Sequence, residues 1–192
     1  MPEKNIRKKV DKLLEKANAL KYCDSQRTIA FSKDALHLCE KIGYTLGENV
    51  AKSYMAHSYY SIGDYEKALD LVYTTLPYFI EESFYDLQWW AYNLLGIIFG
   101  KLGNVEESMD FYQSAQTIAV KIDSGKRYDS DSNSTRSIIL TLNNIAENYK
   151  LLNEYKEAQI YAEKAYNLDQ QFNYSLSKGL TMLSLGEIYY LL

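Results

Sequence analysis

The run Leu95-Gly96-Ile97-Ile98-Phe99-Gly100-Lys101-Leu102-Gly103-Asn104-Val105-Glu106-Glu107-Ser108 holds a helix end, a turn and a helix start. Gly103 enters the left-handed region without steric cost and so stops a helix. Asn104 carries a side chain able to accept the free N–H groups of the next one. Glu106 and Glu107 suit the positive end of that helix. Apolar residues recur at three- and four-residue steps on both sides, and downstream they continue through Phe111, Tyr112 and Ala115. Each segment therefore has one stripe to bury.

The run belongs to a series. Ala56, Gly96, Ala146 and Gly186 are the small residues of four similar blocks, spaced 40, 50 and 40 residues apart. The blocks are Met55-Ala56-His57-Ser58-Tyr59, Leu95-Gly96-Ile97-Ile98-Phe99, Ile145-Ala146-Glu147-Asn148-Tyr149 and Leu185-Gly186-Glu187-Ile188-Tyr189. Turns at Gly63-Asp64, Gly103-Asn104 and Asn153-Glu154 follow the first three, and Ala68, Ser108 and Ala158 open the second segments. Self-similarity at a fixed period means stacked units, each touching only its neighbours. The ten extra residues of the middle spacing fall in Asp123 to Ser134, a polar stretch without apolar period that predicts a mobile surface loop. Pro77 is expected to bend or end the second helix of its unit, because it lacks a backbone donor.

These helix–turn–helix units resemble tetratricopeptide repeats, and Gly63-Asp64-Tyr65-Glu66-Lys67-Ala68 is close to that family's turn-and-alanine pattern. The resemblance covers about residues 45 to 192 and implies an all-α fold, a right-handed α-solenoid of antiparallel helix pairs with about nine helices. Residues 1–44 read as a degenerate N-terminal helix pair acting as a cap, with helices over about 5–22 and 25–42. The repeats follow at 45–83, 84–123 and 134–173, with an inserted loop at 124–133 and an incomplete unit at 174–192, all in a single elongated domain. The pitch of 40 exceeds the family's usual length of about 34 residues. Long-pitch arrays of this kind resemble those of bacterial regulators, including the N-terminal arrays of some diguanylate cyclases and histidine kinases.

Composition narrows the function classes. The 192 residues carry a net charge of -4, so no global basic field recruits nucleic acid. No apolar run approaches the ~20 residues of a membrane helix, and Met1 to Asp11 lacks the apolar core of a secretory leader. Cys23 and Cys39 have no CxxC context, and a reduced cytoplasmic setting is expected for them. No nucleophile elbow, phosphate loop or metalloprotease motif occurs, and His37 and His57 lie on different predicted helices. No catalytic residue, metal or cofactor is expected.

The groove is then the place for function. In the resembling family the first helix of each pair lines the concave face. Carrying that register over selects Ser53, His57, Tyr60 and Ser61, then Trp90, Asn93, Ile97 and Lys101, then Leu140, Asn143, Glu147 and Lys150, and last Leu183, Glu187 and Tyr190. Asn93 and Asn143 occupy equivalent positions, and an amide both donates and accepts, so a row of them suits an extended peptide backbone. One of Trp89 and Trp90 is expected to face outward as an anchor. The expected function is a protein- or peptide-binding module, the N-terminal sensor or docking region of a larger signalling protein. The alternative is a structural scaffold forming a homodimer through the last helix, whose apolar face lacks a covering partner helix in this sequence.

Overall fold

The same turn recurs because the same residues dictate it. Gly63, Gly103 and Asn153 have φ of 82°, 83° and 61°. At each, the following N–H donates five residues back: Asp64 to the Tyr59 carbonyl, Asn104 to Phe99 and Glu154 to Tyr149, all at 2.9 Å. The left-handed residue itself donates three back, to Tyr60, Gly100 and Lys150. This pair of bonds closes a helix and reverses the chain. Asp64 caps the next helix, accepting from the Lys67 N–H at 3.3 Å. Asn104, expected to do likewise, makes no side-chain cap bond.

A computed structural model describes residues 2–131, 133–172 and 175–192. They form nine α-helices and no strand, the all-α solenoid class of helix pairs. The chain divides into two compact units, residues 1–81 and 82–192.

The first unit contains α1 (Pro2–Leu20), α2 (Ser25–Ile42), α3 (Thr45–Ser61) and α4 (Tyr65–Glu81). Each helix packs on the next, and α1 also reaches α3. α4 runs through Pro77 without ending there. Pro77 is solvent-exposed. The first pair is built like the later ones. Ala17 is fully buried and its carbonyl accepts from the Thr28 hydroxyl at 3.5 Å. In the third pair the Gly96 carbonyl accepts from Ser108 at 2.5 Å in the same way. Ala17 is thus the small residue that the sequence pattern of the first unit concealed.

The second unit contains α5 (Tyr85–Lys101), α6 (Val105–Ala119), α7 (Ser134–Leu151), α8 (Tyr155–Phe172) and α9 (Ser175–Leu191). Successive helices pack, and α5 meets α7 as α7 meets α9. Small residues let the backbones approach: Ala146, Ala158 and Ala162 are fully buried against Leu185 and Ile188. At Gly96 a Cβ would lie 2.5 Å from the Tyr112 ring, so only glycine admits that ring.

The inserted segment, expected as a surface loop, makes specific bonds within the second unit. After a 3-10 turn at Ile122–Ser124 it lies along the start of α5. The Tyr85 N–H donates to the Lys126 carbonyl at 3.2 Å. The N–H groups of Tyr128 and Asp129 both donate to Asp86 Oδ2 at 2.8 Å. Lys126 adds an ion pair to Glu82 at 3.0 Å. Two charge-assisted bonds to a buried carboxylate thus tie this polar stretch to α5.

Candidate functional site

In the second unit a row of side chains joins α5, α7 and α9. Near its start, the Trp89 Nε1–H donates to Thr141 Oγ1 at 2.9 Å. One to two turns on, Asn144 Nδ2 donates to Asn93 Oδ1 at 3.2 Å. Deeper, Asn148 Nδ2 donates to Ser108 Oγ at 2.6 Å. From α7 to α9, Ser184 donates to Glu147 at 2.9 Å, and Lys150 bridges Glu147, at 3.0 Å, and Glu187. The Lys150 ammonium titrates above its usual range, because the bonds to Glu187 and Glu147 outweigh the opposing effect of burial.

The structure brings Glu147, Lys150 and Glu187 together as one ionic cluster and pairs Asn93 with a neighbour in the row. Trp90 is half-buried on α5 and Lys101 is exposed at its end. Asn143 is corrected from an open position to a buried one, 8% exposed. Its Nδ2 donates to Thr181 Oγ1 at 2.8 Å, and Thr181 in turn donates to Asp169 at 3.1 Å. Its Oδ1 has no partner among the described residues. The 50-residue register pointed at Asn143. The residue that actually meets Asn93 is Asn144, one step around the helix and about 100° away.

Of the two tryptophans, Trp89 spends its indole N–H inside the fold. Sequence reasoning missed that bond, as it missed Asn148 and Asp86. Only the polar character of these residues on otherwise apolar helix faces hinted at partners. Asp86 is 3% exposed and its Oδ1 is unpartnered among the described residues. Burial raises its pKa despite the two backbone donors.

In the first unit His57 and Tyr60 are brought together, with ring centroids 6.0 Å apart. Tyr22 meets His57 edge-on at 4.9 Å, and the Lys21 ammonium lies over the Tyr22 and Tyr54 rings at 5.0 and 5.6 Å. Burial, helped by the Lys21 charge, lowers the His57 pKa to about 4, so the imidazole is neutral. Ser53 is buried and bonds the Asn49 carbonyl of its own helix, while Ser61 is exposed. On α9, Leu183, Glu187 and Tyr190 are all exposed. Among the described residues no cluster of side chains could hold a metal ion, and no helix is long and apolar enough to cross a membrane.

Residues 91–119 and 140–172 match the tetratricopeptide repeat family profile. These two stretches of the second unit thus resemble tetratricopeptide repeats, a family whose scaffolds bind protein partners and are generally non-catalytic. Solved structures share the fold. The crystal structure of aspartyl phosphate phosphatase F from Bacillus subtilis matches with a TM-score of 0.74 and 13% identity, over 97% of this chain and 44% of that one. BtubC (BKLC) from P. vanneervenii matches with a TM-score of 0.63 and 18% identity, over 97% and 84%. A kinesin light chain from Podosopora anserina with nearly identical TPR-like repeats gives 0.64 and 12%, over 100% and 88%. The chain thus spans less than half the length of the phosphatase. No curated protein sequence matches it.

Proposed function

We propose that the chain is a docking module that takes an extended protein segment along the row formed by α5, α7 and α9. Trp90 supplies the aromatic anchor, Asn93 and its bonded neighbour Asn144 the amides, and Lys101, Glu147, Lys150 and Glu187 the charges. His57 and Tyr60 of the first unit offer a second contact surface of the same kind, and Asn143 acts from behind the row by holding α9. The observation that supports this best is the side-chain row itself, which fixes rotamers before any partner arrives. A preorganised surface binds at a lower entropic cost. In this proposal the module is the sensor or docking region of a larger bacterial cytoplasmic signalling protein, for example a diguanylate cyclase or histidine kinase. Likeness to a phosphatase of aspartyl phosphate is compatible with such a context. The test is recovery of the partner from the native cell, followed by affinity measurement with the purified partner. The double substitution Trp90→Ala/Asn93→Ala is expected to weaken binding at least tenfold, and undiminished affinity rejects the groove.

A second reading, pairing of two copies through α9, is favoured by one observation. Gly186 stands in register with Gly96, yet a Cβ there would meet nothing within 4 Å. Around it Leu183 is 62% and Tyr190 89% exposed. Light scattering over a concentration series tests the pairing. A monomer at every concentration ends it, and Leu183→Lys with Tyr190→Glu should convert any dimer to monomer.

A further inference from the structure

Charge is unevenly distributed along the chain. Residues 1–21 hold seven Lys and Arg against three Asp and Glu, which leaves 14 against 22 for the rest. In α1 the basic residues fall on one side. Val10, Leu14 and Ala17 are at most 2% exposed and form the packed face. Lys4, Lys8, Lys12 and Lys16 stand at four-residue steps on the opposite side, with Lys9 beside them, and all five are exposed. Among the described residues no carboxylate pairs with Lys4, Lys8, Lys9 or Lys12. Lys16 lies over the Phe31 ring at 5.4 Å, and Arg7 is turned to the Tyr44 ring at 3.8 Å.

Within the row like charges face one another, offset in part by Asp11 and Glu15 at three-residue steps from Lys8 and Lys12. Lys4–Lys8, Lys8–Lys12 and Lys12–Lys16 are like charges at i,i+4, a spacing at which they repel. The first of them also sit at the positive end of the helix dipole. Elsewhere the chain places opposite charges at this spacing, as in Lys52–Glu48 at 2.6 Å. The exposed lysines, none ion-paired among the described residues, leave a positive strip on the surface of an otherwise acidic chain.

We propose that the outward face of α1 docks an acidic polypeptide segment, with Lys4, Lys8, Lys9 and Lys12 as its contacts. The row climbs about 6 Å per step. Glutamates at i,i+4 on an acidic helix repeat at the same interval, and alternate residues of an extended acidic strand repeat at about 6.7 Å. Other anionic partners fit less well. A membrane-bound basic helix inserts an apolar face, and that of α1 is already buried in the fold. A single-stranded nucleic acid needs aromatic platforms, and α1 contains no aromatic residue. Asp11 and Glu15 interrupt the basic face, and the acidic remainder of the chain repels a long polyanion.

Fluorescence anisotropy of a labelled oligoglutamate peptide with the full chain tests the proposal, with circular dichroism confirming that each variant remains helical. Lys4→Gln/Lys8→Gln/Lys12→Gln is expected to lose at least tenfold in affinity. A control with the same charge change at exposed positions elsewhere, Lys33→Gln/Lys41→Gln/Lys156→Gln, should lose less than twofold. For the unmodified chain, affinity should fall steeply with added salt. Equal losses in the two variants, absence of binding at low salt, or tighter binding of single-stranded DNA or of phosphatidylserine vesicles would each overturn it.

Discussion

Glycine and alanine at equivalent positions have different reasons to be small. Gly96 faces the Tyr112 ring, where a methyl group would come within 2.5 Å, whereas Gly186 faces open space. Gly96→Ala should therefore lower stability by about 1–3 kcal/mol through overpacking. Gly186→Ala should be neutral or raise it by up to about 1 kcal/mol through helix propensity. Urea unfolding of the two variants checks both. His57 adds a pH effect. Its pKa of about 4 in the folded chain lies below the ordinary 6.5. The stability it preserves is complete above pH 6.5 and is lost as pH falls through 4, at about 1.4 kcal/mol per unit. His57→Phe should flatten the stability profile across that window, and an unchanged slope would show that the imidazole is not the titrating group.

At the scale of elements, turns and polar joints fix what helix propensity leaves open. The inserted segment depends on Asp86, which accepts from Tyr128 and Asp129. Asp86→Ala strands two backbone donors and should cost about 1–3 kcal/mol. Hydrogen exchange should rise at Tyr128 and Asp129 before it rises elsewhere. A second joint is the chain from Asn148 to Ser108 to the Gly96 carbonyl. Because Ser108 is shared, Asn148→Ala and Ser108→Ala should be non-additive, with a double-mutant coupling of about 0.5–2 kcal/mol. The turns themselves were legible in advance, since Gly63, Gly103 and Asn153 announce left-handed residues. Asn104 was not, because a capping residue type does not guarantee that the side chain turns toward the helix.

For the molecule as a whole, stability is a sum of units and neighbour contacts. Ala162 is fully buried among Ala146, Ala158, Leu185 and Ile188. Ala162→Leu should therefore loosen α8 and α9 first, leaving amide protection in α1 and α2 unchanged. Loss of protection throughout the chain would mean that the units unfold as one. Charge also acts at this scale, since a net of -4 conceals an N-terminal helix of the opposite sign.

Helix count, turn positions and the repeated helix-pair architecture were determined by the sequence alone, because they rest on local rules: apolar periodicity, left-handed turn residues, and small residues at a repeated spacing. The partners of the polar side chains were decided only in the tertiary structure. Asn143 and Asn144 are adjacent in sequence, yet one is buried behind α9 and the other meets Asn93. A rotation of about 100° per residue separates them, and the packing angle between neighbouring helices selects which one reaches across. The bonding of the inserted segment to α5 has the same origin. It depends on a carboxylate more than forty residues away, a long-range contact that no local pattern records.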